Sequence, residues 1–122
     1  MFRSSRNALI AIILLVLILA ACASQSFPHG TFAPQFGPYR VTFKDDGSFV
    51  FTEGGVVASQ GAYSIQGNEL TWETDSHCAA QGAEVATYTW SFDNNQLVLK
   101  VKGTDDCADR APLYSVPWHL QQ

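Results

Sequence analysis

Seven residues near the C-terminus carry the densest set of reactive groups in the chain. Residues 104–110 (TDDCADR) hold three carboxylates, one thiol and one guanidinium. Such groups could form a metal site, a reactive cysteine, or a structural corner with a bonded cysteine and a paired arginine. Hard carboxylate oxygens with one soft sulfur suit no common metal ion. No CxxC, HxxH or calcium-loop spacing accompanies them, so metal chemistry is disfavoured.

The other groups that could act in catalysis are scattered. His29, His77 and His119 lack the spacing of metal ligands, and no Gly-x-Ser-x-Gly nucleophile elbow occurs. We therefore predict that the protein is not an enzyme, that it holds no metal and that it needs no cofactor.

The N-terminal residues have the composition of an export signal. Residues 1–7 contain two arginines and no acid, and the fourteen residues 8–21 (ALIAIILLVLILAA) are uninterruptedly apolar. A basic start, an apolar run and small residues are typical of a secretory signal peptide. Fourteen residues reach only about 21 Å as a helix, which is short of the roughly 30 Å hydrocarbon core.

The end of this apolar run resembles a known processing motif. Leu19-Ala20-Ala21-Cys22 is similar to the lipobox of bacterial lipoprotein precursors. The resemblance implies cleavage before Cys22, acylation of that cysteine with chains such as palmitate, and attachment to a membrane. It places the protein in the bacterial cell envelope, on the extracytoplasmic side. The alternative is an uncleaved N-terminal anchor with an ordinary cysteine.

Lipidation of Cys22 would leave two cysteines, Cys78 and Cys107. In an oxidising compartment we expect this pair to form a disulfide. Closing a loop of about 30 residues would stabilise the fold by roughly 3–4 kcal/mol in the chain-entropy model. The corner then becomes the preferred interpretation of residues 104–110. Arg110 would pair with a neighbouring carboxylate or lie over an aromatic ring.

The charge balance excludes one class of partner. Without Arg3 and Arg6 the chain keeps five cations against eleven acids, a formal charge of −6. Nucleic acid binding needs clustered lysines and arginines, so no nucleic acid partner is expected. Anionic lipid is equally disfavoured, so the acyl chains must supply the membrane attachment.

From Tyr39 onward, apolar and polar residues alternate with a period of two. Tight-turn sequences such as Asp-Asp-Gly at 45–47 and Asp-Asn-Asn at 93–95 separate the alternating runs. Residues 113–120 (LYSVPWHL) are predicted to form the last strand, with Pro117 at a sheet edge or a strand end. We predict an all-β fold: a small antiparallel up-and-down meander of about 7–8 strands, closed into a barrel. The domain boundaries follow: signal peptide 1–21, flexible tether 22–29, barrel 30–122.

The ordered series of motifs resembles small bacterial lipocalin-like proteins of the calycin type. The series is Gly-x-Phe (30–32), Phe-x-Asp-Asp-Gly-x-Phe (43–49), Gly-x-Tyr-x-Ile-x-Gly-Asn-x-Leu-x-Trp (61–72), Tyr-x-Trp-x-Phe-Asp (88–93), Asp-Asp-Cys-x-x-Arg (105–110) and Pro-Trp (117–118). The resemblance implies a cavity for a small molecule. It also implies that Phe32 and Arg110 help to close the barrel, because in larger lipocalins an N-terminal tryptophan packs against a late arginine.

Aromatic residues occupy most inward positions of the predicted strands. They could fill the core or wall a pocket. The predicted ligand contacts are Phe43, Phe51, Tyr63, Trp72, Tyr88 and Trp90. The expected function is non-catalytic binding of a small hydrophobic or amphipathic molecule. The alternative is a filled barrel that presents its loops to an envelope protein.

Overall fold

A computed structural model describes residues 25–122. The predicted signal peptide and Cys22 lie outside these residues. Eight antiparallel strands close into a barrel in sequence order, and β1 pairs with β8. This confirms the predicted fold class. The strands are β1 (Gly30–Pro34), β2 (Tyr39–Phe43), β3 (Ser48–Glu53), β4 (Val56–Gln66), β5 (Glu69–Asp75), β6 (Ala86–Asp93), β7 (Gln96–Lys102) and β8 (Trp118–Leu120).

The hairpins follow from alternation and turn chemistry. In β6, Ala86, Tyr88 and Trp90 are buried while the residues between them face outward. Asn94 and Asn95 form the two-residue connection to β7 with φ of 51° and 61°. Positive φ at both positions is the type I′ geometry that matches the twist of paired strands, and asparagine tolerates it.

The up-and-down topology gives the barrel two distinct ends. The β2–β3, β4–β5 and β6–β7 connections lie at one end, which we call the plugged end. Phe27 is 6% exposed and lies there, with ring centroids 5.2 Å from Phe43, 5.7 Å from Tyr63 and 5.2 Å from Trp90. Phe27 belongs to the segment 22–29, for which the sequence predicts a flexible tether. Its burial shows that packed structure begins before β1.

Hydrogen bonds complete the plugged end. The Tyr63 hydroxyl donates to the Lys44 carbonyl at 2.6 Å, and Trp90 Nε1 donates to the Gly67 carbonyl at 3.1 Å. Burial, together with the nearby carboxylates of Asp46 and Asp45, raises the pKa of Tyr63 to about 12. These bonds tie inward aromatic rings to the turns, so this end is filled by side chains.

Strand β4 bends around the barrel through irregular pairing. Its register shifts opposite β3 between Phe51 and Thr52, and opposite β5 between Ala62 and Tyr63. Next to the second shift, a Cβ atom on Gly61 would lie 2.1 Å from the Thr74 carbonyl oxygen. Only glycine permits this approach of the two backbones.

The other end of the barrel carries the longer connections, and we call it the capped end. Helix α1 (Ser76–Ala79) follows β5, and a 3₁₀ turn (Ala108–Arg110) runs into helix α2 (Ala111–Ser115) before β8. The predicted strand over residues 113–120 is therefore wrong in its first half, because Leu113 is helical. Pro112 lies in the first turn of α2, where a missing N–H costs little. Pro117 stands immediately before β8, at a strand end as predicted.

A single aromatic-rich cluster fills the barrel, and a small cluster of Cys78, Ala83 and Cys107 lies beneath the cap. Within residues 25–122, no helix is long and apolar enough to span a bilayer.

Candidate functional site

The capped end is organised around one buried arginine. Arg110 and Asp75 are each 3% exposed, and the side chain of Asp105 is fully buried. Arg110 Nε and Nη2 donate to the two oxygens of Asp105 at 2.9 and 2.8 Å. Its Nη2 and Nη1 also donate to the carbonyls of Ala83 and Glu84, each at 2.6 Å. The bidentate pair confirms that Arg110 pairs with a neighbouring carboxylate.

Asp75 receives its hydrogen bonds unevenly. Its Oδ1 accepts from the Ser59 hydroxyl at 2.5 Å and from the backbone N–H groups of His77 and Cys78, both at 3.0 Å. It thereby caps the N-terminus of α1. Within the described part of the chain, its Oδ2 accepts one long hydrogen bond, from Arg110 Nη1 at 3.5 Å.

The network shifts the pKa values of its members. Burial would raise the pKa of Asp105, but hydrogen bonds from Arg110, Tyr88 and the Cys107 backbone N–H outweigh burial and lower it. Burial also raises the pKa of the Tyr88 hydroxyl, which donates to Asp105. Burial acts to lower the pKa of Arg110, but the hydrogen bonds and the charge of the paired Asp105 carboxylate have the larger effect. The pKa of Arg110 is therefore raised. Asp105 is therefore held ionised and Tyr88 neutral.

The disulfide joins the two chain segments that carry this network. Cys78 in α1 is bonded to Cys107, and their Cα atoms are 5.6 Å apart. This confirms the predicted pairing and lies within the usual range for disulfides. The bond fixes the segment before Arg110 against the helix that Asp75 caps. Residues 104–110 thus form a structural corner.

A second polar contact lies at the surface of the cap. His77 Nε2 and Asp109 Oδ2 are 2.6 Å apart, and Gln81 donates to the same oxygen at 2.8 Å. These two hydrogen bonds lower the pKa of Asp109. Both members of the pair are exposed, so it stabilises the cap little.

A cavity of about 460 Å³ lies between the barrel and the cap. Val41 and Phe49, which are buried, form its floor, and Leu113 of α2 also lines it. The rings of Tyr39 and Phe51 stack along its wall with centroids 5.8 Å apart and an interplanar angle of 22°. The polar residues along its lining are Glu53, Ser59, Asp75, His77, Asp109 and Arg110. An apolar floor with a few polar groups is the composition of a ligand pocket.

The six predicted ligand residues divide between the core and this cavity. Phe51 lines the cavity. Phe43, Tyr63 and Trp90 surround Phe27 at the plugged end. The other two, Trp72 and Tyr88, are fully buried and lie 6.0 Å apart in the middle of the core. A ligand in the cavity as it stands would therefore touch Phe51 and not the packed rings of the other five.

The two predicted barrel-closing residues have different partners. Phe32 is fully buried in β1, with ring centroids 6.1 Å from Phe43 and 6.2 Å from Phe92. The polar contacts of Arg110 lie within the cap. Phe32 thus belongs to the barrel core, and Arg110 to the cap above it.

The histidines remain separated in the fold. His29 lies beside Phe27, His77 lies on the cap and His119 lies in β8. Among residues 25–122, no three His, Cys, Asp or Glu side chains come together as metal ligands would.

Several cavity residues were missed by the sequence analysis. Ser59, Asp75 and Glu53 lie at strand positions whose orientation depends on the register shifts of β4 against β3 and β5, and on the cap. Asp75 did carry a recognisable signal, because an aspartate directly before a helix is a common N-cap. A helix of four residues is too short to show a period of 3.6, so the sequence pattern does not predict that a helix follows Asp75.

Comparison with models of known protein families, with curated proteins and with solved structures finds no match for this chain. The fold is accordingly stated at the level that the strands show: a closed antiparallel barrel of eight strands.

Proposed function

We propose that this chain is a lipid-anchored protein of the bacterial cell envelope. Its lipocalin-like barrel would bind a small hydrophobic or amphipathic molecule at the capped end, without catalysis. The observation that carries the proposal is the cavity of about 460 Å³ with a buried apolar floor. Pockets for small ligands are commonly about 300–1,000 Å³ and combine apolar walls with a few polar groups.

The two ends of the barrel differ in a way that supports this assignment. Phe27 fills the plugged end together with three aromatic rings. The capped end keeps a volume many times that of one water molecule, which is about 30 Å³. The cap over the cavity is also fixed by a disulfide and a buried ion pair. A pre-formed cavity limits the ordering cost of binding.

Binding is tested by blocking the cavity. Ala58 is exposed on β4 and lines the cavity, so Ala58→Trp should obstruct it without disturbing the core. Gln66→Trp places the same side chain at the exposed far end of β4 and is the matched control. Native mass spectrometry of the chain from its own host should show a co-purifying small molecule in the wild type and in Gln66→Trp, and none in Ala58→Trp. A wild type without any such molecule would refute the proposal.

The anchor rests on the lipobox-like sequence at Leu19-Ala20-Ala21-Cys22. We expect Cys22→Ala to leave an uncleaved precursor that incorporates no labelled palmitate, while the wild type is shortened and labelled. Cys78→Ala/Cys107→Ala is the control, since it should keep the label. A wild type that stays full length and unlabelled, as Cys22→Ala does, would support the uncleaved-anchor alternative.

A second candidate function has its own observation. The large apolar side chains that are exposed in the described region all lie in or beside connections at the capped end. Phe36 is 79% exposed and Val56 is 70% exposed, and Val57, Val85 and Val116 share this exposure. Apolar groups gathered at one end favour an interaction module for an envelope protein. A photo-crosslinking residue at Phe36 should then capture one partner in cells, while the same residue at Gln66 captures none.

A further inference from the structure

We propose that the cavity at the capped end takes a hydrophobic ammonium, that is, an apolar molecule with one protonated amine. This inference rests on the proposed function, because it names the class of ligand for the same cavity. Three features carry it: the acidic groups along the lining, a carboxylate oxygen that accepts a single long hydrogen bond within residues 25–122, and an aromatic wall.

The basic side chains along the lining are already engaged. Arg110 gives its N–H groups to Asp105 and to the carbonyls of Ala83 and Glu84. His77 lies 2.6 Å from Asp109. An anionic ligand would have to break these contacts to find a donor on either side chain. The cavity therefore offers little to a carboxylate or a phosphate.

The acids along the lining retain capacity to accept. Asp75 is buried beside the cavity, and its Oδ2 has only the 3.5 Å contact with Arg110, while Oδ1 accepts three hydrogen bonds. A carboxylate has about four lone-pair sites, so Oδ2 can accept from a ligand. Glu53 adds a second carboxylate at the exposed rim. A protonated amine supplies both the N–H and the opposite charge.

The wall suits the same ligand. Tyr39 and Phe51 stack with centroids 5.8 Å apart and both line the cavity. Aromatic faces attract ammonium groups, and their carbon surface packs against an apolar chain. Val41 and Phe49 give that chain a buried floor.

The test uses three probes with one carbon skeleton: 4-phenylbutylamine, 4-phenylbutanol and 4-phenylbutanoate. The full chain is held in phosphatidylcholine nanodiscs, and isothermal titration is corrected with empty nanodiscs. We expect the amine to bind at least tenfold more tightly than the alcohol, and the carboxylate to bind most weakly.

Two variants place the effect in the cavity. Asp75→Asn should reduce amine affinity about tenfold and leave alcohol affinity within twofold. Because Asp75 also caps α1, Glu53→Gln is the second variant; it removes an exposed rim charge and should weaken the amine at least threefold. Asp93→Asn makes the same charge change at the plugged end and should alter neither affinity. If Asp75→Asn does not fold, the comparison of amine affinity between Glu53→Gln and Asp93→Asn decides whether the carboxylates of the cavity bind the amine.

The outcomes separate this inference from the proposed function. Equal affinities for the three probes, or tighter binding of the carboxylate, would overturn the ammonium assignment, while binding that Ala58→Trp abolishes would still support the proposed function. If Glu53→Gln and Asp93→Asn reduced the preference for the amine equally, the preference would come from the net charge of the protein, and the assignment would be overturned. Failure of all three probes to bind would overturn the ammonium assignment, while a co-purifying small molecule that Ala58→Trp removes would still support the proposed function.

Discussion

Arg110 organises the capped end through its hydrogen bonds. Its guanidinium is buried, yet each N–H group has an acceptor, and the fork geometry matches both oxygens of Asp105. A buried charge without partners would cost several kcal/mol. The carbonyls of Ala83 and Glu84 pair with the same group, so the arginine also holds the connection before β6. Lysine has no such fork and could not replace it.

Because the pKa of Asp105 is lowered in the folded protein, the free energy of unfolding should depend on pH. The pKa of Asp105 in the folded protein lies below its usual value of about 3.9. The ionised carboxylate therefore contributes fully to the stability of the fold above about pH 4, and this contribution is lost as the pH falls through the lower pKa of the folded state. Urea denaturation at pH 7, 5, 4 and 3 should show Asp105→Asn to be less stable than the wild type at pH 7. The difference should shrink below pH 4. A difference that stays constant down to pH 3 would contradict this assignment.

Two buried tryptophans allow a matched comparison. Both are fully buried, but Trp118 Nε1 donates to the Leu113 carbonyl at 3.1 Å, whereas Trp72 Nε1 has no hydrogen-bond partner among residues 25–122. Trp72→Phe removes an unpaired donor, and Trp118→Phe leaves an acceptor without its donor. An unpaired buried group costs about 1–3 kcal/mol. We expect Trp72→Phe to cost about 1–3 kcal/mol less in free energy of unfolding than Trp118→Phe. Equal costs would mean that ring volume dominates at both sites.

At the scale of the elements, most of the strands could be predicted from the alternation of apolar and polar residues. The hairpins around residues 45–47 and 93–95 form where turn residues separate alternating runs. Features without a period were missed. Phe27 follows an irregular segment, so nothing local marks it as buried. Helix α2 spans five residues, which is too short for a period of 3.6 to show, although Pro112 was a usable start signal.

Strand β4 contains Gly61, the glycine with the closest backbone neighbour in residues 25–122. A methyl group on Gly61 would meet the Thr74 carbonyl oxygen at 2.1 Å, so the β4–β5 pairing must open for Gly61→Ala. We expect a loss of about 1–3 kcal/mol or more in free energy of unfolding, measured by urea denaturation. Gly67→Asn is the control, because its φ of 59° suits asparagine and nothing lies within 4 Å. Tolerance of Gly61→Ala would show that the bulge can relax.

The cavity itself depends on the whole molecule. Asp75 and Arg110 are 35 positions apart and meet only because the barrel closes and the disulfide holds the cap. The cysteine pair could be predicted from the number of cysteines and the compartment that the lipobox implies. The Asp75 contact could not be predicted, because it depends on the register of two bulged strands and on a helix without a period.

Removing the disulfide tests the cap as a unit. Cys78→Ala/Cys107→Ala should lower the free energy of unfolding by roughly 3–4 kcal/mol, because the unfolded chain regains a loop of about 30 residues. Far-ultraviolet circular dichroism should retain its β signal, since the strands do not depend on the bond. Reducing agent should destabilise the wild type and leave the double variant unchanged. An unchanged unfolding midpoint in the double variant would contradict the role of the bond.

The burial of Phe27 sets an orientation. Phe27 lies five positions after Cys22, and an extended chain of that length reaches at most about 18 Å. If Cys22 is lipidated as proposed, this short connection would hold the plugged end close to the lipid headgroups. The mouth of the cavity, at the opposite end of the barrel, would then point into the aqueous space. Cargo would then be exchanged with the surrounding solution or with a neighbouring protein, and would not be drawn directly out of the bilayer.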